Sequence, residues 1–127
     1  MENVTGLSTA LAIGTYRIRG VFPVFAATTA ATMNFGWSLT GTAAASSMVN
    51  WQAHGSSYAA PQSYSTITTP TSIGVTTSTS IVYYMECDLL LNLTVAGTLQ
   101  LQCGLGTAAD SAYVLAGAFF DVTCVGP

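Results

Sequence analysis

Apolar and polar residues alternate with a repeat of two along most of this chain, and the 3.6-residue repeat of a helix is almost absent. Tyr16, Ile18, Phe22 and Val24 share one side of a stretch whose other side carries Arg17 and Arg19, which predicts a long strand over residues 15–26. Met33, Phe35, Trp37 and Leu39 alternate with Asn34, Gly36, Ser38 and Thr40. Val49, Trp51 and Ala53 then alternate with Asn50, Gln52 and His54. From Gly55 to Pro70 the chain is rich in Ser, Tyr and Thr, and Pro61 and Pro70 limit ladder pairing. A long loop with one short strand near Ser63–Thr68 is expected there. Further on, Ile81, Tyr83, Met85, Cys87, Leu89, Leu91 and Leu93 form one face of a long strand. Val82, Tyr84, Glu86, Asp88, Leu90, Asn92 and Thr94 form the other. Ala96-Gly97 reads as a turn, after which Leu99, Leu101 and Cys103 alternate with Thr98, Gln100 and Gln102. A loop over Gly104 to Ser111 precedes one last strand over residues 112–124, with Ala118, Phe120, Val122 and Cys124 opposite Phe119, Asp121 and Thr123. The fold class is therefore all-β: a single-domain antiparallel β-sandwich or jelly roll of about eight strands. It is expected to span residues 9–127, behind an extended arm over residues 1–8.

Both faces of the 81–95 stretch are largely apolar, as are both faces around Val114 to Phe120. A strand in a two-layer sandwich has one polar face unless something covers it, and another subunit is the simplest cover. Composition points the same way. Only 6% of the 127 residues are charged while 50% are hydrophobic, against about one quarter charged in an average soluble domain. Nineteen Thr and twelve Ser stand in for charges, and the mean hydropathy of +0.52 is high for a free monomer. Association with copies of itself or with a larger assembly follows as the expectation.

The charges that exist exclude several partners. Two Arg, no Lys and a net charge of −3 offer no cation cluster for nucleic acid beyond Arg17 and Arg19, and little for anionic lipid. The most apolar stretch, Met85 to Val95, is too short for a bilayer span and is broken by Glu86, Asp88 and Asn92. Glu2 and the Ser/Thr-broken run Leu7 to Ile13 do not read as a signal peptide, so synthesis and use without export is expected. Cys87, Cys103 and Cys124 sit singly in strand-like runs and read as reduced, buried small hydrophobes, with a bridge between adjacent strands as the alternative. The sequons Asn3-Val4-Thr5 and Asn92-Leu93-Thr94 are matches of the kind a Thr-rich chain produces by chance.

Catalytic sets are sparse. His54 has no nucleophile and acid arranged around it, and no Gly-x-Ser-x-Gly elbow occurs. The single cysteines do not make a zinc pattern, and Gly104-Leu105-Gly106 does not open a helix that would cradle phosphate. No enzyme activity, metal or cofactor is expected. Glu86 and Asp88, two apart on a strand face, have the spacing of a hydrolase carboxylate pair, but no further acid or aromatic cleft supports that. They have a better use as partners of Arg17 and Arg19, which also share a strand face: Arg offers bidentate geometry to a carboxylate. An Arg17 or Arg19 pair with Glu86 or Asp88 is expected between sheet edges or across a subunit boundary. Trp37 and Trp51 read as core. His54, Tyr58 and Tyr64 fall in or beside the Ser/Pro-rich loop and form the candidate partner-binding loop, where exposed rings can stack on sugar.

The ordered succession of Val4-Thr5-Gly6-Leu7-Ser8, Ile13-Gly14-Thr15-Tyr16-Arg17-Ile18, Ala26-Ala27-Thr28-Thr29-Ala30, Met85-Glu86-Cys87, Ala96-Gly97-Thr98-Leu99-Gln100-Leu101-Gln102 and Val114-Leu115-Ala116-Gly117-Ala118-Phe119-Phe120 covers nearly the whole chain. It resembles the small trimeric TNF-like β-jelly-roll domains of tailed-phage structural proteins. Cys87 departs from the pattern, since such domains tend to place Gly after the acidic residue. The resemblance implies a homotrimer with strands of one sheet around a threefold axis, and a virion location. A capsid decoration (cement) protein, made in the host cytoplasm and bound to the major capsid protein on the head, is the favoured expectation, because the chain shows neither an attachment segment nor a fibre shaft. Glu2, Asn3, Val4 and Thr5 are then the candidate capsid-contact arm. The alternative is the receptor-binding head of a tail fibre, recognising a host-surface glycan.

Overall fold

The alternating stretches fold as strands, and these lie in two antiparallel sheets whose inner faces share one apolar core. The computed structural model describes residues 2–26, 33–54, 62–66, 71–73, 82–105 and 112–127. In chain order the strands are β1 (Glu2–Leu11), β2 (Gly14–Ala26), β3 (Met33–Leu39), β4 (Thr42–Ala43), β5 (Met48–His54), β6 (Gln62–Thr66), β7 (Thr71–Ile73), β8 (Val82–Val95), β9 (Gly97–Leu105), β10 (Ala112–Val114) and β11 (Phe119–Gly126). A four-stranded sheet has the order β1-β9-β3-β7. A seven-stranded sheet has the order β10-β2-β8-β5-β6, with β11 also paired to β2 and β4 to β8. The all-β sandwich expected from the alternation is what the chain forms.

The inward sets are those that the period of two selects. Tyr16, Ile18, Phe22 and Val24 of β2, Val49 and Trp51 of β5, and Met85, Cys87, Leu89, Leu91 and Leu93 of β8 are buried against Leu11, Phe35, Trp37, Leu99 and Leu101 of the other sheet. Trp37 and Trp51 are core residues, as expected. Their rings stack at 6.0 Å between the sheets, with Phe22 and Phe35 tilted against Trp51 at 6.4 and 5.8 Å. Phe120 of β11 meets Trp37 edge-on at 5.4 Å, a favoured ring geometry. Ser47, the buried polar side chain among these residues, receives the Asn92 amide at 2.9 Å and so ties the β4–β5 turn to β8.

Four local expectations change. Residues 2–8 are not a separate arm, because β1 pairs with β9 at both ends and Val4 and Leu7 pack against the core. A register shift between Asn3 and Ser8 breaks the alternation there, and Gly6 takes φ +81° within it. The last strand divides in two: β10 and β11 lie along β2 in succession, separated by a turn at Ala116-Gly117. Pro23 of β2 faces that break and has no N–H to continue the ladder; its carbonyl instead accepts the Leu115 amide at 2.8 Å. Ala96-Gly97 is not a hairpin turn. β8 and β9 belong to different sheets, so the chain crosses the sandwich there, beside the β3–β4 crossing at Thr40-Gly41. The two crossings touch so closely that a Cβ on Gly97 would fall on the Gly41 backbone, and one on Gly41 would fall on the Val95 carbonyl. Finally, β4 and β7 are strands too short to leave a periodic signal.

Candidate functional site

The outer face of the seven-stranded sheet gathers the chain's charges. Register places Asn50 of β5 opposite Asp88 of β8, Asp88 opposite Arg19 of β2, and Arg19 opposite Asp121 of β11. The neighbouring row runs Met48, Leu90, Arg17, Thr123, and the row beyond Asp88 runs Gln52, Glu86, Val21, Phe119. Five of the seven charged residues thus share this face: Arg17, Arg19, Glu86, Asp88 and Asp121. They sit among exposed apolar side chains: Met48 is 50% exposed, Leu90 49%, Tyr84 52% and Phe119 50%. The described outer positions of the four-stranded sheet carry Ser8, Ser38, Thr98, Gln100 and Gln102 instead.

Arg17 grips Asp88 with two hydrogen bonds, Nε to Oδ1 at 3.1 Å and Nη2 to Oδ2 at 2.6 Å. Arg19 Nε stands 3.7 Å from the same Oδ2. The expected ion pair forms, with Asp88 as its carboxylate, but neither between sheet edges nor across a subunit boundary: it links neighbouring strands of one sheet within one chain. The antiparallel register decides this, since it puts Asp88 directly across from Arg19 and diagonal to Arg17. Hydrogen bonds from Arg17 hold the Asp88 carboxyl below its ordinary value; partial burial opposes them, and the charges of Arg17 and Arg19 add to the lowering. The same hydrogen bond raises Arg17. A carboxylate so occupied is a poor proton acceptor near neutral pH, so the arrangement suits binding rather than acid–base chemistry. A shallow depression of about 460 Å³ lies over the pair, lined by Arg17, Met48, Val49, Asn50, Asp88 and Leu90.

The other sequence candidates do not gather on one loop. His54 ends β5 opposite Tyr84, and Tyr64 pairs with Asn50 from within β6, while Tyr58 lies outside the described residues. His54 ends its alternating run and Tyr64 falls in the short strand expected near Ser63–Thr68, so two of the three lie on the sheet rather than on a shared loop. Asn3, Val4 and Thr5, with Glu2, belong to β1. Gln102 Nε2 donates to Asn3 Oδ1 at 3.0 Å, and Gln100 Nε2 donates to the Val4 carbonyl at 2.8 Å. Those side-chain bonds fix the segment to the sheet. The three cysteines are free, but only Cys87 is buried: Cys103 is half-buried and Cys124 exposed. Burial pushes the Cys87 thiol up to about 12 and the Cys103 thiol to about 11.

Among the described residues no three His, Cys, Asp or Glu side chains gather as metal ligands, and no helix is long and apolar enough to cross a membrane. Asp121 is the member of the face that sequence reasoning missed. Its alternation with Phe120 and Val122 was legible, but its place across from Arg19 depends on β11 pairing with β2. Comparison with protein-family models, curated proteins and solved structures finds no match to this chain.

Proposed function

We propose that this protein is a structural subunit that works by association: a TNF-like jelly roll forming a homotrimer and binding the major capsid protein of a phage head as a decoration protein. The observation that carries the associative part is the outer face of the seven-stranded sheet. Met48, Leu90 and Tyr84 stand half exposed there around the Arg17–Asp88 ion pair, which is formed within the chain. An ion pair with its hydrogen bonds in place loses less on entering an interface than two solvated ions would, and exposed apolar side chains contribute the association energy. A face of this kind therefore fits the strands around a threefold axis.

The winding supports the jelly-roll reading. β1, β9, β3 and β7 form one sheet against β2, β8, β5 and β6, so the chain passes repeatedly from sheet to sheet, as two nested Greek keys require. The phage assignment rests on the sequence resemblance. A trimer bound across several coat subunits would stabilise the shell by mass action, because it has affinity for the assembled shell and none for free coat protein.

Two measurements test the reading. Sedimentation of the purified protein is expected to give three times the 13.1 kDa chain mass, and L90K is expected to give one. A wild-type monomer at micromolar concentration would refute the trimer. Copy number in purified virions separates the two virion roles: hundreds mark a decoration protein, whereas tens mark the glycan-binding tail-fibre head.

A further inference from the structure

We infer that the depression over the Arg17–Asp88 pair is a socket for Tyr84 of a neighbouring copy, the phenol ring lying against Met48 and Leu90 with its O–H donated to Asp88. The inference rests on association through the sheet face, as proposed above, and names the contact that makes it. The lining of the depression is of two kinds. Met48 and Leu90 are apolar and half exposed. Arg17 and Asp88 supply the polar part, with side chains 50% and 41% exposed. An ionised carboxylate has about four acceptor positions. Arg17 takes one on each oxygen, Nε on Oδ1 and Nη2 on Oδ2, while Arg19 stands off at 3.7 Å. Acceptor capacity is therefore left over beside apolar side chains, and a group with an apolar body and a donor at its tip fits there.

Tyr84 is that group. Of the large hydrophobic side chains exposed among the described residues, it alone ends in an O–H or N–H donor, and it is 52% exposed. Tyr is enriched at interfaces for this combination of ring and hydroxyl. A further Arg fits poorly, because Arg17 and Arg19 already neighbour the carboxylate and repel a third cation. A chain cannot fill its own socket: Tyr84 and Leu90 lie on the same side of β8, six residues apart, which is about 20 Å along the strand. Plug and socket at two places on one face are matched by a second copy, whose face carries both. Charge agrees, since the face sets Arg17 and Arg19 against Glu86, Asp88 and Asp121, and two such faces meet without a large excess of either sign. Where the rotation between copies closes after three, each Tyr84 passes to the next subunit and all three sockets are filled, as a threefold ring requires.

A double-mutant cycle tests the contact by sedimentation equilibrium across a concentration series. Y84F, which removes one oxygen from an exposed side chain, is expected to weaken self-association about tenfold. D88N is expected to weaken it as well, and Y84F added to D88N is expected to change it little further, because the two groups act as one contact. Both side chains are exposed, and circular dichroism checks that each variant is folded. Equal weakening by Y84F in the two backgrounds, or none in either, overturns the inference and leaves association through the face standing. A wild-type monomer at every concentration overturns the trimer and the inference with it. Self-association of Y84F equal to that of wild type, with weaker binding to capsids, would assign Tyr84 to coat protein and overturn the inference alone.

Discussion

Asp88 illustrates how one side chain can be fixed without being buried. Its pair with Arg17 is half exposed on both sides, and exposed pairs contribute little to stability. The pH dependence is nevertheless diagnostic. A carboxyl whose folded pKa is lowered contributes stability above its unfolded value, about 3.9, and loses it as pH falls through the lower folded value. Urea midpoints of wild type and D88N are thus expected to differ slightly at pH 7 and to approach each other as pH falls below the unfolded value; a gap that does not narrow in acid would mean the ion pair is not its source. The thiols separate by burial. Brief alkylation of the native protein followed by mass spectrometry is expected to label Cys124 and spare Cys87, whose thiolate is disfavoured by burial up to a pKa of about 12. Rapid labelling of Cys87 without denaturant would contradict the buried position.

At the level of strands, the crossing at Gly41 and Gly97 leaves no room for a side chain. G97A must push two backbones apart, a strain of about 1–3 kcal/mol, and a thermal midpoint equal to that of wild type would refute the close approach. Truncation of residues 2–8 removes part of β1 and the Val4 and Leu7 contacts. It is expected to lower thermal stability of the isolated protein, whereas loss of a free arm would leave stability unchanged. These two regions also mark the limits of what the residues disclose. Strands β2, β3, β5 and β8 were legible because one face of each is apolar over several repeats. β1 was not, since its register shift at Gly6 interrupts the period. The β10–β11 break was hidden because Ala112 to Phe120 is apolar throughout, and the interruption arises from Pro23 on the strand it pairs with. The ion pair was foreseeable from two cations and two nearby carboxylates, but the choice of Asp88 over Glu86, and its formation inside one chain, follow from a register set by the whole sheet.

The whole molecule concentrates five of its seven charges on one sheet face together with its half-exposed Met48, Tyr84 and Leu90. If that face associates, folding and assembly are linked, and the midpoint of thermal unfolding is expected to rise with protein concentration. L90K is expected to abolish that dependence; a wild-type midpoint independent of concentration would argue for a monomer. The pairing of β1 with β9 has a further consequence, for the order in which the protein can be made. β1 has as its ladder partner β9, which is made only after β2 to β8, and at about 5–20 residues per second the intervening chain takes roughly 5–20 s to emerge. Through that interval residues 2–11 lack their native neighbour, so the four-stranded sheet closes only once β9 has emerged, with β1 waiting until then as an unclaimed strand.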